Sequence, residues 1–118
     1  MFRVIIAGSR DFDDYELLCQ TMDRLLINRT DEIVVLCGKA RGADTLGERY
    51  ARDRGYYVEE YPADWIRYDR AAGPIRNEQM AKRADALVAF WDGQSPGTKN
   101  MINLAHRYAL KVRVINVD

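Results

Sequence analysis

Three short apolar runs punctuate the chain: RVIIAG from Arg3, IVVLCG from Ile33 and ALVAFW from Ala86. Each is rich in β-branched or aromatic residues and closes on glycine or a turn, the pattern of a strand. None alternates with polar residues, so both faces of each are expected to be buried, as in a parallel sheet. YVEEY from Tyr57 and VRVINV from Val112 are weaker and complete a set of five, the last alternating as an edge strand does. Between the runs the period becomes helical. Tyr15, Leu18, Met22, Leu25 and Leu26 form one apolar stripe behind Asp13 and Glu16, which are spaced as a capping pair. A second helix is expected over about 43–54 with Gly55 as its C-cap, and a third from Pro74 with Met80, Ala81 and Ala84 as its packing face. A fourth follows Gly97-Thr98 and carries Met101, Ile102, Ala105, Tyr108 and Ala109.

Strands alternating with helices predict an α/β fold: a single three-layer domain over residues 1–118, with a five-stranded parallel sheet flanked by helices. In such a sheet the loops leaving the carboxyl ends of the strands share one rim, where ligands bind. Four loops qualify: GSRDF, GKARGAD, PADWIRYDRAAGPIRN and WDGQSPGTK.

With 118 residues the chain has room for one modest core, so any site must be shared among these loops or between subunits. The 18 basic and 18 acidic side chains cancel, and no global field draws the protein to nucleic acid or membrane. An anion site must therefore be local. Cys19 and Cys37 are expected to be buried thiols in a reducing compartment. The opening apolar run is too short for a secretory leader and nothing reaches membrane-span length, which together predict a cytoplasmic protein without membrane contact. One histidine and two distant cysteines cannot make a zinc site, and neither a metal nor a cofactor is expected.

Familiar motifs fail on physical grounds. Gly8-Ser9-Arg10 lacks the three glycines of a dinucleotide fingerprint, and in GQSPGTK the lysine follows the threonine, unlike a P-loop. Gly93-Gln94-Ser95-Pro96-Gly97 matches the nucleophile-elbow spacing, but Pro96 has no N–H to donate to an oxyanion. A phosphate-binding reading survives. Gly93 and Gly97 allow close backbone approach, and Gly97-Thr98 opens a helix whose unpaired N–H groups favour an anion. Gly38 and Gly42 repeat the construction, with Lys39 and Arg41 adding charge. Ser9, Arg10, Arg76 and Asn77 are expected beside them at the same rim. The alternative for each loop is a tight turn with solvated cations.

The runs AGSRDF, GKARGADTLGERYARDRG, PADW, AAGPIRNEQM, ADALVAFWDGQSPGT and MINLA, in that order, resemble the YspA-like group of the SLOG superfamily over almost the whole chain. The resemblance implies a Rossmann-like sheet, a nucleotide or nucleotide-derived ligand and a homodimer. The superfamily includes cytokinin-activating phosphoribohydrolases, a DNA-processing protein, and sensor domains for NAD-derived signals. In the phosphoribohydrolases an arginine opens the third helix, and a P-G-G-x-G-T-x-x-E loop binds phosphate and supplies a catalytic glutamate. Arg76 matches that arginine and Gly97-Thr98 match the G-T, but the glutamate position falls on Met101, which can neither accept a proton nor stabilise an oxocarbenium ion. Met101 is expected either to lean toward the ligand or to face the sheet as core.

The individual side chains carry paired readings. Arg76, placed at a helix start, opposes the helix dipole unless an anion or an acid such as Asp69, Glu78 or Asp92 is near. Asp64 and Asp92 suit either a catalytic or ribose-binding carboxylate or a helix cap, and Asp44 likewise suits a ligand contact or a cap. Trp65 and Trp91 would stack a base or close the core. Two functions remain open: a module that senses or sequesters a nucleotide, and an N-glycosidic-bond hydrolase using Arg76 with Asp92 or Asp64. Single-stranded nucleic-acid binding ranks below both, for want of positive charge.

Overall fold

The computed structural model describes residues 1–117. Asp118, included in the expected domain, lies outside the described residues. Five strands form one all-parallel sheet: β1 (Phe2–Gly8), β2 (Ile33–Cys37), β3 (Tyr57–Glu60), β4 (Ala86–Trp91) and β5 (Lys111–Asn116). Their order is β3-β2-β1-β4-β5. The three most apolar runs occupy the centre because both their faces are covered, while β3 and β5, with polar residues interleaved, form the two edges.

Alternate residues of each central strand serve opposite layers. Val4, Ile6, Val35, Val88 and Phe90 pack under α1 (Tyr15–Leu26) and α2 (Ala43–Arg54). Ile5, Ala7, Leu36, Leu87 and Ala89 pack under α4 (Ala72–Arg83) and α5 (Pro96–Arg107). This makes the three-layer Rossmann-like α/β domain that the periodicity predicts. Gly55 caps α2 in the left-handed conformation, φ +73°, as expected.

Several expectations shift. The cap of α1 is Asp14, which accepts the Leu17 N–H at 3.0 Å, not Asp13. The fourth long helix stops at Arg107, before Tyr108 and Ala109, because Ala109 turns the chain with φ +59°. Between β3 and α4 the expected loop contains a short helix, α3 (Trp65–Tyr68), and a 3₁₀ turn over Asp69–Ala71. This turn leads straight into α4, which therefore begins at Ala72, and Pro74 is its third residue. Arg76 consequently lies in the second turn. Cys37 is buried and its thiol is pushed up to about 12 by burial and by donation to Glu48, whereas Cys19 is only half-buried. No described helix is long and apolar enough to cross a membrane.

Candidate functional site

The winding direction reverses between β1 and β4, and a cleft of about 670 Å³ opens at their carboxyl ends. Gly8 ends β1 on its margin, where a Cβ would collide with the carbonyl oxygen of Phe90 on β4. Ser9 follows and is buried. Its hydroxyl oxygen accepts the Asp92 N–H at 3.0 Å and the Ser95 hydroxyl at 3.3 Å, and its carbonyl accepts the Ala43 N–H at 3.3 Å. Ser9 therefore ties the loops after β1, β2 and β4 together without lining the cleft. Gly42 caps α2 at φ +79°, pressed against the Ser9 and Arg10 carbonyls, a place that both the dihedral and the lack of space reserve for glycine.

On the cleft floor, Arg76 donates from Nη1 to the Gly38 carbonyl and from Nε to Asn77 Oδ1 at 2.9 Å. Buried Asn77 in turn donates to Asn100 Oδ1 at 2.9 Å and to the Gly97 carbonyl at 3.3 Å. One network thus holds the Arg76 guanidinium and the amino end of α5 in fixed relation. Gly38 leaves the space they need: a Cβ there would lie 2.8 Å from both Arg76 Nη1 and Asp44 Oδ2. Asp44, only 7% exposed, is in the first turn of α2 and accepts the Ala40 N–H at 3.3 Å. Burial raises its carboxyl to about 6 against the attraction of Arg76 and Arg10. Burial likewise works against the Arg76 charge, partly countered by Asp44.

Arg10, Arg41 and Arg70 stand around the mouth. Among the described residues neither they nor Arg76 has a carboxylate oxygen within 4.0 Å, although ten other ion pairs form. None of the acids Asp69, Glu78 and Asp92 therefore serves as the partner of Arg76. Thr98 lines the cleft from the first turn of α5, and among the described residues its hydroxyl has no hydrogen-bond partner. The Gly97 and Thr98 amides precede the first bond of that helix, Lys99 N–H to the Ser95 carbonyl at 3.1 Å. Trp65, 51% exposed, and Ser95 also line the cleft.

Other expected members lie elsewhere. Lys39 turns onto Glu48 at 2.8 Å and Glu60 at 3.3 Å, and it holds the Glu48 carboxyl down to about 2. Asp64 caps α3 by accepting the Arg67 N–H at 3.1 Å. Asp92 accepts the Gln94 and Ser95 amides, each at 2.8 Å, which holds its carboxyl below the usual range. Neither aspartate lines the cleft. Gly93 makes a turn at φ +82° with open space around it. Trp91 is half-buried and spends its indole N–H on the Ser95 carbonyl at 3.1 Å. Met101, 1% exposed, belongs to the core beneath α4 and α5 and reaches the cleft floor only from below. Sequence reasoning missed Arg70, hidden in a segment without periodicity, and Asn100, which its i,i+3 spacing from Gly97 would have placed on the same helix face.

A family model described as the YspA, cpYpsA-related SLOG family matches residues 2–68. The Gene 61 protein of Mycobacterium phage D29 is 35% identical over 118 residues, covering 95% of this chain and 94% of its own. The chain belongs to the YspA-related SLOG family. Solved structures extend the likeness in fold. DNA processing protein A from Streptococcus pneumoniae superposes with a TM-score of 0.74 at 16% identity, over 99% of this chain and 50% of that one. The structural-genomics protein TM1055 superposes with a TM-score of 0.68 at 20% identity, over 95% and 72%. The SLOG family model ends at Tyr68, so the loops after β1 and β2 fall inside it, while Arg76, Asn77 and the α5 turn are contributed from beyond it.

Proposed function

We propose that this SLOG chain binds a nucleotide or nucleotide-derived ligand in the cleft, as a sensing or sequestering module. The observation that carries the reading is the convergence of four arginines, none ion-paired among the described residues, on the amino end of a helix. Charges so placed repel one another, and an anion relieves that cost. A ligand phosphate meets the Gly97 and Thr98 amides, the free Thr98 hydroxyl and Arg76, while Trp65 offers a flat face to a base. Hydrolysis of an N-glycosidic bond is the second reading. It is disfavoured because Met101 is buried core and because Asp64 and Asp92 are occupied in capping outside the cleft. A homodimer, implied by the family resemblance, is part of the same proposal.

Thermal denaturation against a panel of mono-, di- and cyclic nucleotides tests the proposal. A purine nucleotide at about a hundred times its dissociation constant is expected to add roughly 2.7 kcal/mol. Arg76→Ala should remove most of that gain while keeping a cooperative melt, and Arg76→Lys should recover only part of it, since a point charge lacks the guanidinium fork. No shift with any nucleotide contradicts the proposal. Single-stranded DNA, included in the panel, should bind weakly at physiological salt, because the net charge of zero leaves few phosphates neutralised.

A further inference from the structure

The acids that the sequence offered for sugar recognition, Asp64 and Asp92, are both saturated by backbone N–H groups away from the cleft. Asp44 is different. It is more than nine-tenths buried, it lines the cleft, and only its Oδ2 has a protein partner, the Ala40 N–H at 3.3 Å. No unpartnered polar side-chain atom is sealed from solvent among the described residues, so the unbonded Oδ1 is reachable from the cleft. A carboxylate at the bottom of an arginine-lined pocket is a poor choice for holding a bare anion, because it repels what the arginines attract. Nor is it spent on holding Arg76, since no oxygen of Asp44 comes within 4.0 Å of a guanidinium nitrogen. What it can do is accept hydrogen bonds from neutral donors on a ligand whose phosphate is held a few ångströms away by Arg76 and the α5 amides.

We infer that Asp44 is the specificity-determining residue of the cleft, accepting hydrogen bonds from ribose hydroxyls and so selecting ribonucleotides over their deoxy counterparts. The inference rests on the nucleotide reading and deepens it. The acceptor belongs to the protein and the donors to the sugar; when a hydroxyl is missing, a buried carboxylate is left without the partner that offsets its desolvation. Such sites reject the analogue far more strongly than apolar pockets do.

Calorimetric titration of the full chain with AMP, GMP and ADP, each beside its 2′-deoxy and 3′-deoxy forms, tests it. Ribose 5-phosphate and 2-deoxyribose 5-phosphate are added to separate sugar from base. At least one deoxy form is expected to bind about tenfold more weakly than its parent. In Asp44→Asn that ratio should collapse toward one, with the deoxy form binding at least as tightly as before, because the carboxylate's repulsion of the phosphate is gone. Equal affinity for ribo and deoxy forms in the natural protein overturns the inference and leaves the nucleotide reading standing. A ratio that survives in Asp44→Asn also overturns it, since the hydroxyl is then read elsewhere. If none of these ligands binds at millimolar concentration, the nucleotide reading fails and this inference fails with it.

Discussion

Asp44→Asn is expected to stabilise the unliganded protein at pH 7.5, by about 3 kcal/mol at most, and to leave it nearly unchanged near pH 4. The carboxyl is raised to about 6 by burial, against the pull of Arg76 on α4 and Arg10 after β1 and the Ala40 N–H. A carboxyl that binds its proton more tightly in the folded than in the unfolded chain contributes stability below its unfolded value near 3.8, and that contribution is lost as pH rises through about 6. At pH 7.5 the ionised group thus works against folding, and each unit of displacement corresponds to roughly 1.4 kcal/mol. Asparagine keeps the shape and an acceptor for Ala40 without the charge. Urea melts of both proteins at the two pH values check the sign. A variant less stable than the natural protein at pH 7.5 would mean that Asp44 is held by interactions stronger than its desolvation. A cost of this kind in the empty cleft is what the proposed ligand contact of Asp44 requires.

A large loss should come from Gly8→Ala. The added methyl would meet the Phe90 carbonyl oxygen head-on and lie 2.9 Å from the Ala43 Cβ. Phe90 pairs with Gly8 in the β1–β4 ladder, and its carbonyl accepts the Ser9 N–H at 2.9 Å. The strands can part only by breaking that bond and the Ser9 ties to Asp92 and Ala43 behind it. A cost of about 3–4 kcal/mol is expected, as for other forced clashes at well-packed backbone. Gly55→Ala is the comparison: Gly55 also has positive φ, +73°, but nothing lies within 4 Å of its missing Cβ. Its cost should be only the left-handed backbone penalty, about 1–2 kcal/mol. Denaturant midpoints separate the two, and equal losses would show that steric approach to Phe90 is not what reserves position 8 for glycine.

How far the sequence led can be followed residue by residue. The strands and long helices were legible because each central run is apolar on both faces and each helix carries one stripe, and burial enforces both patterns. The segment over 65–71 was not, because four helical residues and a 3₁₀ turn are too short to show a period. Because the 3₁₀ turn runs straight into α4, Arg76 lies in the second turn and not at the helix start, and its place is set by burial and by its bonds to Gly38 and Asn77. At the rim, residue type pointed to anion binding, yet type cannot say which way a loop side chain turns. Lys39 and Arg41 are two residues apart in one loop, and Glu48 and Glu60 draw the lysine away while Arg41 stays on the cleft. Asp44 and Asp92 both suited a cap or a ligand, and residue type could not show how fully each is already occupied: Asp92 meets three donors within its own turn, and Asp44 meets one.

The central claim, that a nucleotide occupies the cleft between β1 and β4, is tested most directly by amide chemical shifts of the ¹⁵N-labelled chain during titration with a ribonucleotide. The Gly97 and Thr98 amides, the Asn77 and Asn100 side chains and the Trp65 indole N–H should move together along one saturating curve. Shifts confined instead to the surface groove of α2, around Lys39, Glu48 and Arg52, would contradict the account.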